Sequence, residues 1–210
     1  MEKIIVATSN EGKMKEITLI LADMGIEIIS LKEAGIDIDI VEDGSTFEEN
    51  AIIKAKTIME LTGSVVIADD SGLEVDYMDK QPGIYSARFL GTETPYTEKN
   101  NEIIKRLEKA KGEERSARFV CAIAAAFPNG MILTTRGTIE GYIHDKEQGE
   151  NGFGYDPIVY IPEYQATTAE LTTEQKNSIS HRKKALEKMK EEFRKKRLIG
   201  DIVNAHTNSK

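Results

Sequence analysis

VVIADDSGLEV, residues 65–75, decides how this chain is read. Val65, Val66, Ile67 and Ala68 form an apolar run of the kind that makes a buried strand. The run stops at Asp69, Asp70 and Ser71, which the spacing delivers to the strand's exposed end through a turn that Gly72 allows. Leu73 to Tyr77 then alternates apolar and polar residues and continues as a strand. Two adjacent carboxylates beside an apolar wall repel one another, and the repulsion is costly unless a cation or a proton sits between them. Something positive is therefore expected there. Asp-Asp-Ser-Gly also makes ordinary turns, so the neighbouring segments have to decide.

Upstream, Thr46 and Glu49 fit a capping box that opens a helix running to about Leu61, with Gly63 as its stop. Asn50 and Lys54 share one face of that helix, Lys56 is a solvated companion, and the acidic pair Glu42 and Asp43 lies just ahead of it. At the start of the chain KIIVA (Lys3 to Ala7) reads as a strand and TSNEGK (Thr8 to Lys13) as a polar loop. Met14, Ile17, Leu21 and Met24 then trace one face of a helix that Gly25 ends. A helix N-terminus with a lysine beside it suits a phosphate. TSNEGK lacks P-loop spacing, however, and Asn10 reads equally well as a plain helix cap. IEIISL (Ile26 to Leu31) is a second strand.

Downstream, QPGIYSARF is an irregular loop and Thr97 to Lys111 a third helix. Ala117 to Phe127 and Met131 to Ile143 are long strands on either side of Pro128-Asn129-Gly130, a strong hairpin signal, with Gly137 and Gly141 marking bulges or close backbone approach in the second arm. NGFGYDP (Asn151 to Pro157) sets Phe153 and Tyr155 between glycines on a loop, where a ring can lie flat against a planar ligand or simply plug the loop. Ala169 to Ile179 and Ser180 to about Ile199 read as helices. Strands alternating with helices around a central hairpin define an α/β fold with a mixed sheet.

Thirty-six acidic against 28 basic residues leave a formal net charge of -8 over 210 residues, which argues against broad nucleic-acid binding. An anionic substrate would then need a local basic cluster or a metal. Cys121, the single cysteine, lies in the apolar run FVCAIAAAF as a small core residue. No apolar stretch approaches a membrane span, and Met1 to Lys3 lead straight into a strand, so a cytoplasmic protein without membrane or nucleic-acid partners is expected. Residues 1–199 are read as one domain and 200–210 as a partly disordered tail.

TSNEGK, FEENAIIKA, ADDSGLEVD, PGIYSARF, GFGYDPI and AELTTEQKNSISHR, in this order, resemble the Ham1/RdgB family of inosine triphosphate pyrophosphatases, from Lys3 to about Leu186. The resemblance implies two lobes around a central nucleotide cleft, a homodimer, and Mg2+-dependent hydrolysis of ITP, dITP and XTP to the monophosphate and pyrophosphate. It implies a triphosphate loop of Thr8, Ser9, Asn10, Glu11, Gly12 and Lys13, with Lys54 reaching the phosphates. Glu42 and Asp70 would be the magnesium carboxylates, Asp70 also the proton acceptor, with Asp69 close by and Ser71 beside the nucleotide. Phe153, Gly154, Tyr155 and Asp156 would form the base and sugar pocket, and Lys176, His181 and Arg182 its base side, with Arg182 among the donors to the purine 6-oxygen. The competing readings are a nucleotide sensor without catalysis and a pyrophosphatase for other modified nucleotides.

Overall fold

The structure is a computed structural model that describes residues 3–196; the tail expected at 200–210 lies outside the described residues. Strands β1 (Lys3–Val6), β2 (Glu27–Ser30), β3 (Val65–Val75), β4 (Ser116–Ala126), β5 (Ile132–Ile143), β6 (Val159–Ile161) and β7 (Ala166–Thr167) alternate with helices α1 (Glu11–Leu21), α2 (Phe47–Thr62), α3 (Tyr96–Arg106), α4 (Thr173–Ile179) and α5 (His181–Lys195). The strands form a mixed sheet in the order β2-β1-β3-β4-β5-β6-β7. β1 pairs in parallel with both β2 and β3, Ile5 lying opposite Ile29 on one side and Val66 on the other. β6 pairs antiparallel with β5 and β7. The expected hairpin is β4–β5, its turn closed by hydrogen bonds from Gly130 N–H to Phe127 O and from Phe127 N–H to Met131 O.

The described residues divide into two compact units, and β3, β4 and β5 each pass from one to the other along their length. The first holds residues 3–70, 121–137 and 182–196. Its core joins Ile4 and Val6 of β1, Ile17 and Leu21 of α1, and Val65 and Ile67 of β3 to Cys121, Ile123 and Ala125 of β4. One stripe of α5 completes it: Ala185, Leu186, Met189 and Phe193 recur at helical spacing and are all buried. The second unit holds residues 71–120 and 138–181. Leu73 and Val75, Ile103 and Leu107, Ile139 and Ile143, and Tyr155, Ile158 and Val159 build its own core.

Three local expectations are revised. β3 does not turn at Gly72; it runs unbroken through all eleven residues from Val65 to Val75. Gly72 is needed for space, because a β-carbon there would meet Ser86 Oγ at 2.4 Å and the Gly83 carbonyl at 2.5 Å. The helix expected from Ala169 begins at Thr173, where Thr172 and Gln175 form a reciprocal capping box (3.2 and 2.9 Å), and Ala166–Thr167 pairs as β7 instead. α3 ends at Arg106, since the Leu107 N–H is shared between the Ile103 and Ile104 carbonyls and the helical ladder stops there. At the start of α2, Thr46 caps the Glu49 N–H as expected, while the Glu49 carboxylate reaches back to Ser45, taking both its N–H (2.7 Å) and its hydroxyl (2.6 Å).

Candidate active site

Successive side chains of a strand point to opposite faces, and this alternation separates the two acids that the sequence places side by side. On one face Asp69 is almost fully buried. Lys13, from the first turn of α1, lies 2.9 Å from its Oδ2, and the Arg182 guanidinium, from the first turn of α5, lies 3.4 Å from it. Arg182 also donates to Glu16 Oε2 at 2.6 Å, so a chain Lys13–Asp69–Arg182–Glu16 ties α1, β3 and α5 together. Burial alone would push the Asp69 carboxyl up, but Lys13, Arg182 and Lys54 outweigh it and hold the group well below the usual carboxylate range.

On the other face Asp70 meets a different set. Asn50 of α2 donates from Nδ2 to Asp70 Oδ2 at 3.2 Å, and the Lys54 ammonium lies 3.5 Å from Oδ1. The same ammonium is 3.0 Å from Glu42 Oε2. Asn50 spends its carbonyl oxygen on the Gly44 N–H (2.9 Å), fixing the loop that carries Glu42 to the helix that carries Lys54. Burial pushes the Asp70 carboxyl up, Lys54 and Asn50 only partly offset this, and Glu42 adds to it, so the net shift is upward. Lys54 is itself desolvated, yet Asp70, Asp69 and Glu42 together raise it and keep it charged. Each acid thus has its own direct ion-pair partner, Lys13 for Asp69 and Lys54 for Asp70, while the charge of Lys54 is felt by both.

The loop Thr8 to Lys13 is organised by its own side chains: Thr8 Oγ1 accepts the Asn10 N–H (3.2 Å), and Asn10 caps α1 by accepting the Lys13 N–H (3.0 Å). Ser9, Glu11 and Gly12 are exposed around it. Among the described residues no three His, Cys, Asp or Glu side chains gather to hold a metal. Glu42 and Asp70 still converge on one positive centre, an all-oxygen pair suited to a hard ion that takes its other ligands from water and phosphate.

In the second unit, Asp156 is buried and accepts from the Phe153 N–H (2.8 Å), Lys176 Nζ (2.6 Å) and the Thr168 hydroxyl (2.8 Å). It holds the aromatic loop rather than facing outward. A β-carbon on Gly152 would strike Asp156 and Lys176, so only glycine lets the loop close on this pair. Tyr155 points inward, its hydroxyl donating to the Ser86 carbonyl at 2.7 Å, whereas Phe153 is 67% exposed with Lys176 Nζ 5.3 Å from its ring centre. His181 stacks on Phe119 with ring centres 5.4 Å apart. Sequence reasoning missed Glu16 and Thr168. Glu16 sits one helical turn beyond Lys13 on α1, which was a usable signal, whereas nothing local marked Thr168.

The pattern is that of a hydrolytic site for a phosphorylated substrate: a buried carboxylate shifted toward neutrality, a lysine bridging it to a second acid, and a helix start carrying another lysine. The chain belongs to the Ham1 family, whose model matches residues 4–192. It is 47% identical over 189 residues to the dITP/XTP pyrophosphatase of Bacillus licheniformis, covering 90% of this chain and 96% of that one. It is 50% identical over 192 residues to the dITP/XTP pyrophosphatase of an Exiguobacterium species, covering 91% and 96%. Among solved structures, the Staphylococcus aureus Ham1 protein superposes with a TM-score of 0.86 at 39% identity, over 93% of this chain and all of that one. A HAM1 protein from Coxiella burnetii gives 0.84 at 42% identity, over 90% and 96%.

Proposed function

We propose that this chain hydrolyses noncanonical purine nucleoside triphosphates (ITP, dITP and XTP) to the monophosphate and pyrophosphate. The observation that carries the reading is the divergence of the two neighbouring aspartates: Asp69 pairs with Lys13 and Arg182, while Asp70 stands with Asn50, Lys54 and, across Lys54, Glu42. A carboxylate fixed beside a second acid and a lysine is placed to accept a proton from a water at that centre. In this reading water adds to the α-phosphorus, its proton passes to Asp70, the α–β bridging P–O bond breaks and pyrophosphate leaves. Lys54 and Lys13 offset the charge that grows on the leaving group.

Glu42 and Asp70 would hold Mg2+, which when bound withdraws charge from phosphate oxygens and eases deprotonation of water. Thr8 to Lys13 would take the phosphates, with Ser71 beside the nucleotide, and Phe153 would stack on the base within the loop that Gly154, Tyr155 and Asp156 complete. Lys176, His181 and Arg182 would line the base side. Arg182 is bound to Glu16 and Asp69, so its loss should disturb the acid side as well as base choice. A homodimer, which rests on the resemblance, and a cytoplasmic location and a single domain over residues 1–199, which rest on the sequence pattern, complete the reading.

The test is a steady-state panel of ITP, dITP, XTP, ATP and GTP with Mg2+, assaying phosphate and pyrophosphate separately. Pyrophosphate release confined to the inosine and xanthosine nucleotides is expected. Orthophosphate as the product, or equal turnover of ATP, would overturn the reading.

A further inference from the structure

Asn100, on the second turn of α3, is 1% exposed and does something its burial does not explain. Its Nδ2 donates to Glu147 Oε1 at 2.7 Å and to the Gly154 carbonyl at 3.2 Å, while its Oδ1 is buried without a hydrogen-bond partner. The amide cannot be turned the other way, because both groups facing Nδ2 are acceptors. A buried carbonyl left unsatisfied costs stability that an apolar side chain of similar volume would not. Packing therefore does not select asparagine here. What asparagine supplies at this position is a pair of donors, one to Glu147 and the other to the Gly154 carbonyl.

Gly154 lies inside the aromatic loop, with φ of +68°. On its far side Tyr155 is anchored through its hydroxyl to Ser86 and edge-on to Tyr96, 5.2 Å between ring centres. On its near side the Phe153 N–H is held by Asp156. The Gly154 carbonyl is the peptide group joining those two anchors, and Asn100 holds it. α3 thereby grips the loop twice, with the Tyr96 ring against Tyr155 and the Asn100 amide against Gly154. The exposed Phe153 ring is the element so fixed.

We infer that Asn100 is a positioning residue for nucleotide binding: through the Gly154 carbonyl it sets the orientation of the Phe153 ring as the face on which the purine stacks. This rests on the reading of Phe153 as the base-stacking residue. A stacking face gains its interaction only when its plane is held in place before the ligand arrives, since a loop that must order on binding gives part of that gain back. The hydrogen bonds of Asn100 go to Glu147 and Gly154, so its effect belongs on binding of the base and not on the chemical step.

The sequence contains no tryptophan, so Phe153→Trp gives the full-length protein a single indole at the stacking position. Titration of that variant with inosine monophosphate reads stacking as fluorescence quenching, without turnover. Adding Asn100→Ala should weaken the dissociation constant roughly five- to tenfold. With Phe153 intact, Asn100→Ala should raise KM for ITP by a similar factor with kcat within about twofold of wild type. Quenching with an unchanged dissociation constant would overturn the role of Asn100 alone. No quenching in the Phe153→Trp parent would overturn the base-stacking reading, and this inference with it. Should Asn100→Ala fail to fold, Glu147→Ala, which removes the other acceptor orienting the amide, should give a smaller rise in KM in the same direction; an unchanged KM there would contradict the inference.

Discussion

Asp69 and Asp70 differ by one position in the chain and by nearly everything in their surroundings. Asp69 is the counter-charge of Lys13 in a buried setting and shares Arg182 with Glu16. Removing Asp69 leaves Lys13 without its direct counter-charge and Arg182 with Glu16 alone, and breaking a buried pair in this way costs about 3–5 kcal/mol. Asp69→Asn should therefore lower the midpoint of urea unfolding markedly as well as reduce activity. A variant as stable as wild type would show that Lys13 needs no counter-charge there. Lys54 is the pivot of the other face, reaching Asp70 and Glu42 from α2. That it shares a helix face with Asn50 was legible from their spacing, and its role came only with the family resemblance; the separation of the two acids was not legible. Period-two alternation was available to predict it, but reading Gly72 as a turn hid the continuous strand.

At the scale of elements, β3 carries the acids in mid-strand, and its passage beside the 83–86 segment depends on Gly72. Gly72→Ala places a methyl group against the Gly83 carbonyl and Ser86, and the backbone there cannot yield as a flexible side chain would. A loss of about 2–3 kcal/mol is expected, in the range for overpacking, measured by thermal unfolding; an unchanged midpoint would mean the segment moves freely. Most element boundaries were readable because caps and stops were local: Gly25 and Gly63 both end helices in left-handed conformation. The short β7 was not, because a two-residue strand exists only through its pairing with β6. Phe153 and Tyr155 were equivalent in the sequence and are opposite in the fold, one outward and one buried, since the turn that separates them is set by Asp156, Asn100 and Ser86, far apart in the chain.

Over the whole molecule, each unit relies on a carboxylate held below its ordinary range, Asp69 in the first and Asp76 in the second. Asp76 is lowered first by a two-point contact with Arg118 (2.8 Å to each oxygen), with Lys80 and Ser116 adding to it. A depressed folded-state pKa contributes stability that is fully present above the unfolded value of 3.8 and is lost as pH falls below it toward the folded value. Asp76→Asn should thus cost about 1–2 kcal/mol at pH 7, with the gap to wild type closing as the pH is taken below 4. A gap that persists at acid pH would contradict the assignment. The central claim is that Asp70 accepts the proton of the attacking water, and pyrophosphate release from ITP by Asp70→Asn at saturating Mg2+ tests it most directly. Turnover reduced at least about a thousandfold, in a protein whose unfolding midpoint is unchanged or raised, is predicted; turnover within tenfold of wild type would contradict it.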